Sequence, residues 1–89
     1  MSSQRFKCTG VPYRQGWIEV TPGIHDGYVN LEVWNVTSEV DISPLASELA
    51  LLADAQVVGN TEVELSIALA KALVAALENA IKTIERAGA

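Results

Sequence analysis

The chain has 89 residues, 49% of them hydrophobic and 19% charged, with a net charge of −5. That length makes one domain, residues 1–89, with a modest core, and the apolar fraction excludes a disordered chain. One histidine and one cysteine are too few for a zinc site built on nitrogen and sulfur. The acidic balance argues against direct nucleic-acid binding, where phosphate contacts dominate affinity.

Charge is segregated along the chain. No lysine or arginine lies between Gln15 and Ala70, while nine acids do: Glu19, Asp26, Glu32, Glu39, Asp41, Glu48, Asp54, Glu62 and Glu64. Arg5, Lys7 and Arg14 precede this stretch, and Lys71, Lys82 and Arg86 follow it. A region of one sign sets up a field that favours a basic partner. Cys8 has no second cysteine to pair with, which points to a reducing compartment. The N-terminal residues lack the apolar stretch of a signal peptide. The apolar run Ile67 to Leu77 is interrupted by Lys71 and is too short for a bilayer. The expectation is a soluble, cytoplasmic protein with no membrane contact, in which the Asn35-Val36-Thr37 sequon is a chance match.

In chain order, Phe6 and Cys8 alternate with Arg5 and Lys7, the period of a strand. Trp17 to Thr21 and Tyr28 to Trp34 alternate more strictly and read as two further strands. Asp26-Gly27 between them is a hairpin signal, since a type I′ turn needs positive φ at both central residues. A two-residue turn there opposes His25 to Tyr28, Ile24 to Val29, Pro22 to Leu31 and Val20 to Val33. Ile18, Val20 and Ile24 then share a face with Val29, Leu31 and Val33. A one-residue slip would mix polar with apolar positions. Pro22 donates no ladder bond, so an edge or a bulge is expected there.

Glu39-Val40-Asp41-Ile42-Ser43 is echoed by Glu62-Val63-Glu64-Leu65-Ser66. Both copies read as a short strand ending in a serine that caps a helix. Pro44 suits the first helical position. The first helix is expected over Pro44–Ala55, with Leu45, Leu49, Leu52 and Ala53 inward. Gly59-Asn60 reads as a turn. The second helix is expected from Ile67 to Arg86. Its stripe of Ala70, Leu73, Leu77, Ala80 and Ile84 has a neighbouring line, Ile67, Val74 and Ile81. Together these are wider than a small sheet needs, which implies contact with the first helix or with a second subunit. The fold class is therefore α+β: a small three- to four-stranded, mainly antiparallel sheet in the order β-β-β-α-β-α, with two helices packed on one face.

If Val20, Val33, Val63 and Leu65 face the helices, Trp17, Glu19, Tyr28, Asn30, Glu32, Trp34, Glu62 and Glu64 face away, with Arg5 and Lys7. Tryptophan and tyrosine are preferred interface anchors, and an exposed aromatic patch marks a contact surface. Trp17, Glu19, Tyr28, Glu32, Trp34, Glu62 and Glu64 are thus the candidate protein-binding residues. Plain packing through cross-strand pairs explains the aromatics equally well, and solubility explains the acids.

The residues present argue against an enzyme and against a cofactor. No glycine-rich phosphate loop and no calcium-binding loop occurs. A Cys8–His25 nucleophile and base is conceivable, but Cys8 falls on the expected core face and His25 beside a turn. A Glu19–Glu32 pair on an open face has nothing to raise either pKa for general acid work. The leading expectation is a small, acidic, non-enzymatic interaction protein, homo-oligomeric, that binds a basic protein surface. By class analogy alone, it fits a phage- or mobile-element-type inhibitor that occludes a nucleic-acid-binding surface. The alternatives are a small-ligand binder with a pocket at a subunit or helix–sheet junction, and a structural subunit of a larger assembly.

Overall fold

The computed structural model describes residues 3–44 and 56–88. Four strands form one antiparallel meander in the order β1-β2-β3-β4: β1 (Gln4–Cys8), β2 (Gln15–Pro22), β3 (Tyr28–Val36) and β4 (Val57–Ser66). A single 3₁₀ turn, Pro12–Arg14, joins β1 to β2, and the helix α1 (Ile67–Gly88) follows β4 directly. The α+β class holds. The second expected helix is α1, which ends at Gly88 rather than Arg86. The first expected helix falls on residues 45–55, outside the described residues. No helix among the described residues is long and apolar enough to cross a membrane.

The short strand expected at Glu39–Ile42 does not form; those residues are turn and irregular chain. Local bonds occupy the donors a ladder would need. Val40 N donates to the Thr37 carbonyl at 3.3 Å, and Glu39 N donates to Thr37 Oγ1 at 3.4 Å. Short hydroxyl side chains compete with regular structure in this way.

The hairpin differs from expectation by two residues. Pro22 opposes Val29, Val20 opposes Leu31 and Trp17 opposes Trp34. Gly23 N donates to the Tyr28 carbonyl and Tyr28 N to the His25 carbonyl, each at 3.1 Å, leaving Ile24–Gly27 as the loop. Asp26 does not take positive φ; Gly23 (φ 71°) and Gly27 (φ 82°) do. Left-handed backbone is costly for a residue with a Cβ, so the longer loop puts both such positions on glycine. A shift of two leaves the side-chain alternation intact, and the two faces fall as expected.

β4 begins at Val57, and Gly59-Asn60 lies inside it rather than in a turn. Val36 pairs with Val57 and Asn35 with Gly59, so Val58 is an extra residue in a bulge. Glycine within a strand often marks such a site. At its far end β4 runs into α1, where Leu69 N donates to Ser66 Oγ at 3.2 Å. This is the expected serine N-cap.

Among the described residues the buried apolar side chains are Trp17, Val36 and Ile42, with Trp34 and Val40 packed against them. They lie on the face expected to be open. Residues 37–44 form a strap across its Trp17 end. Gln15, itself buried, donates from Nε2 to the carbonyls of Thr37 (2.8 Å) and Val40 (2.6 Å). Lys7 Nζ donates to the Ser43 carbonyl at 2.6 Å. Among the described residues, the opposite face, toward α1, contains no fully buried side chain.

Candidate protein-binding face

Register sets the outer face of the sheet in rows. Arg5, Glu19, Glu32 and Glu62 are directly opposed across all four strands. The row on one side of it is Lys7, Trp17, Trp34 and Asn60; the row on the other is Thr21, Asn30 and Glu64. Strand alternation puts all of these side chains on one surface.

The carboxylates are held in place by neighbours. Arg5 grips Glu19 Oε2 with Nε at 3.1 Å and Nη2 at 2.8 Å, and its guanidinium lies 5.5 Å from the Trp34 ring centroid. Asn60 donates to Glu32 Oε2 and to the Val33 carbonyl, both at 3.1 Å. The buried Asn30 donates to Glu62 Oε2 at 2.9 Å. His25 Nδ1 meets Glu64 Oε1 at 2.5 Å. In the strap, Asp41 Oδ1 accepts the Ser43 amide at 2.9 Å. That backbone bond, then the Ser43 side chain, then the Lys7 charge hold the Asp41 carboxyl below the usual carboxylate range.

One expectation needs correction. Trp17 is 1% exposed, so it is a core residue under the strap and offers a partner no surface. Glu19 is mostly covered by its Arg5 pair, its side chain 17% exposed. Tyr28, Glu62 and Glu64 are exposed, and Glu32 and Trp34 are half-buried. The aromatics do not form one patch: Trp34 lies six positions beyond Tyr28 along β3, about 20 Å of strand, and the acids lie between them.

Asn60 and Gln15 play positioning roles that the sequence reading missed. Asn60 was masked by the turn signal of Gly59-Asn60, and Gln15 lay outside the alternating core of its strand. Cys8 is exposed at the edge strand rather than buried. It pairs with Gly16 at one end of β2, and His25 lies beyond the other end, so the two cannot act together. Among the described residues, no group of three His, Cys, Asp or Glu is placed to hold a metal ion.

A second feature lies on the opposite face. Between α1 and the sheet runs an open cleft of about 400 Å³. Phe6, Ile18, Leu31 and Val33 line it from the sheet, and Leu73 and Leu77 from the helix. Every lining residue is apolar.

No protein-family model, curated protein or solved structure matches this chain.

Proposed function

We propose that this protein is a small, non-enzymatic, homo-oligomeric interaction module of the cytoplasm that binds a basic protein surface with the acidic outer face of its sheet. The supporting observation is the carboxylate row. Glu19, Glu32 and Glu62 directly oppose one another on neighbouring strands, and Arg5 pairs with Glu19. Like charges in directly opposed positions destabilise a sheet, by about 0.2–1 kcal/mol a pair. Arg5, Asn60 and Asn30 each hold one of these carboxylates, but the two asparagines bring no charge, and a basic partner would add the counter-charge. On this reading Trp34 anchors the contact, and Glu32, Glu62 and Glu64 steer the encounter. A nucleic-acid-binding surface is a natural target, which the module would occlude.

The test neutralises the row with Glu32→Gln and Glu62→Gln together. Thermal stability should rise, while association with the basic protein that co-purifies slows about tenfold at low salt and loses its salt dependence. Trp34→Ala should instead speed dissociation, at a cost of about 2 kcal/mol. An unchanged association rate in the neutralised variant would sink the reading and leave the acids as solubility groups.

The apolar cleft favours a second reading, a small apolar ligand at the helix–sheet junction. It is the weaker of the two, because ligand sites carry a few placed polar groups for orientation and this lining has none.

A further inference from the structure

We propose that a second copy of this chain covers the apolar side of α1, making the protein a two-fold dimer built on α1–α1 pairing. This rests on the homo-oligomer part of the reading above and adds the number of copies and the contact.

The helix is unsatisfied as it stands. None of its side chains is fully buried. Ile67, Val74, Leu77, Ile81 and Ile84 are 58%, 54%, 56%, 54% and 71% exposed. Their own sheet cannot take them all, because α1 lends Ala70, Leu73, Val74 and Leu77 to the cleft wall, while Ile81 and Ile84 lie outside it.

The spacing identifies the occupant. Ile67, Ala70, Val74, Leu77, Ile81 and Ile84 recur at alternating steps of three and four, the a/d seam of a coiled coil over the length of α1. The a positions are Ile67, Val74 and Ile81, all β-branched, and the central d position is Leu77, the pairing that favours two parallel strands. A small apolar ligand would fill the cleft but leave Ile81 and Ile84 bare. Charge agrees: α1 carries Lys71, Lys82 and Arg86 against Glu78 and Glu85, so two copies meet there without the repulsion that pairing acidic faces would cause.

The surface area fits a pair. The chain exposes 6446 Å², where a compact monomer of 9.5 kDa would expose about 5,000 Å². Its radius of gyration is 14.9 Å, against about 12 Å for a compact domain of this length. That excess, about 1,400 Å² per chain, is comparable to the ~1,000–2,500 Å² that each copy of an obligate homodimer buries.

The test is native mass spectrometry and sedimentation of the full chain from about 1 to 100 μM, a span that separates tight from weak association. One species of twice 9.5 kDa is expected. Ile81→Glu with Ile84→Glu should weaken association by about 100-fold or more. Leu69→Glu, equally exposed but off the seam, should leave the dimer intact. Since a destabilised variant could also dissociate, disulfide trapping provides a second readout: Cys8→Ser with Ile81→Cys should oxidise to a covalent dimer, and Cys8→Ser with Leu69→Cys should not. A monomer across the range, a monomer carrying a small molecule, a trimer or larger species, or a dimer that ignores the seam variant or escapes the trap would each overturn the pairing. The acidic-face reading is scored separately, by basic-partner association of the Glu32 and Glu62 variants on whichever species exists.

Discussion

Gln15→Leu should release the strap and expose Trp17. Leucine keeps the bulk of the side chain but removes both donors. The carbonyls of Thr37 and Val40 then lose partners at 2.8 and 2.6 Å. A net hydrogen bond is worth about 0.5–1.5 kcal/mol, and an acceptor left buried and unpaired costs about 1–3 kcal/mol. Thr37 O retains the Val40 amide at 3.3 Å, so its loss falls at the low end and that of Val40 O at the high end. The expected destabilisation is therefore about 2–4 kcal/mol. The strap also carries Ile42, 0% exposed against Trp17, so loosening it admits water to the indole. With a slope of about 1–3 kcal/mol per molar urea for a small domain, the midpoint should fall by about 1–2 M. Native tryptophan emission should shift to longer wavelength before global unfolding. A midpoint and native spectrum equal to wild type would refute the assignment of Gln15 as the group that fastens the strap.

Other substitutions probe independent features. Gly16→Ala would place its Cβ 1.8 Å from the Trp34 carbonyl oxygen, so β2 and β3 must separate; a loss of about 3 kcal/mol or more in urea titration is expected. Gly27→Val meets no neighbour within 4 Å but inherits φ 82°; it should cost about 1 kcal/mol or more, and Gly27→Asn less, by the same assay. Asp41 has a lowered folded pKa, so its contribution is fully present above the unfolded value, about 3.9, and is lost as pH falls through the lower folded value. The melting temperature of wild type should therefore drop more steeply below pH 4 than that of Asp41→Asn.

What was legible in the sequence is what depends on side-chain period. Alternation assigned Ile18, Val20, Leu31 and Val33 to one face and Trp17, Glu32 and Trp34 to the other, and that survived a hairpin shifted by two residues because the period is two. The Ser66 cap and the span of α1 were legible because capping and a 3.6-residue repeat are local. The features that were misread depend on tertiary competition. Gly59-Asn60 has the chemistry of a turn, yet β3 extends to Val36 and captures it as a bulged strand. Glu39–Ile42 alternates like a strand, yet Thr37 folds it into turns and Gln15 draws it over Trp17. The larger surprise is where the core lies. A run of valines and leucines marks a face that can be buried, but among the described residues α1 does not seat closely enough to bury it, while a strap of eight residues, 37–44, seals the tryptophan side.

That placement bears on how a chain this small stays folded. A domain of this length buries little surface and has a narrow margin of stability. Here the buried apolar group among the described residues is three side chains, and the neighbouring row of carboxylates works against it. The apolar face that would ordinarily supply the stabilisation stands half-open beneath α1. If that face is closed by a second copy, folding and association draw on the same surface, and dilution weakens both. The division of labour between the faces follows. On the proposed pairing, the α1 side would supply stability through self-association. The outer face could then keep a row of opposed glutamates, held by Arg5, Asn30 and Asn60, whose cost a basic partner of the proposed kind would offset.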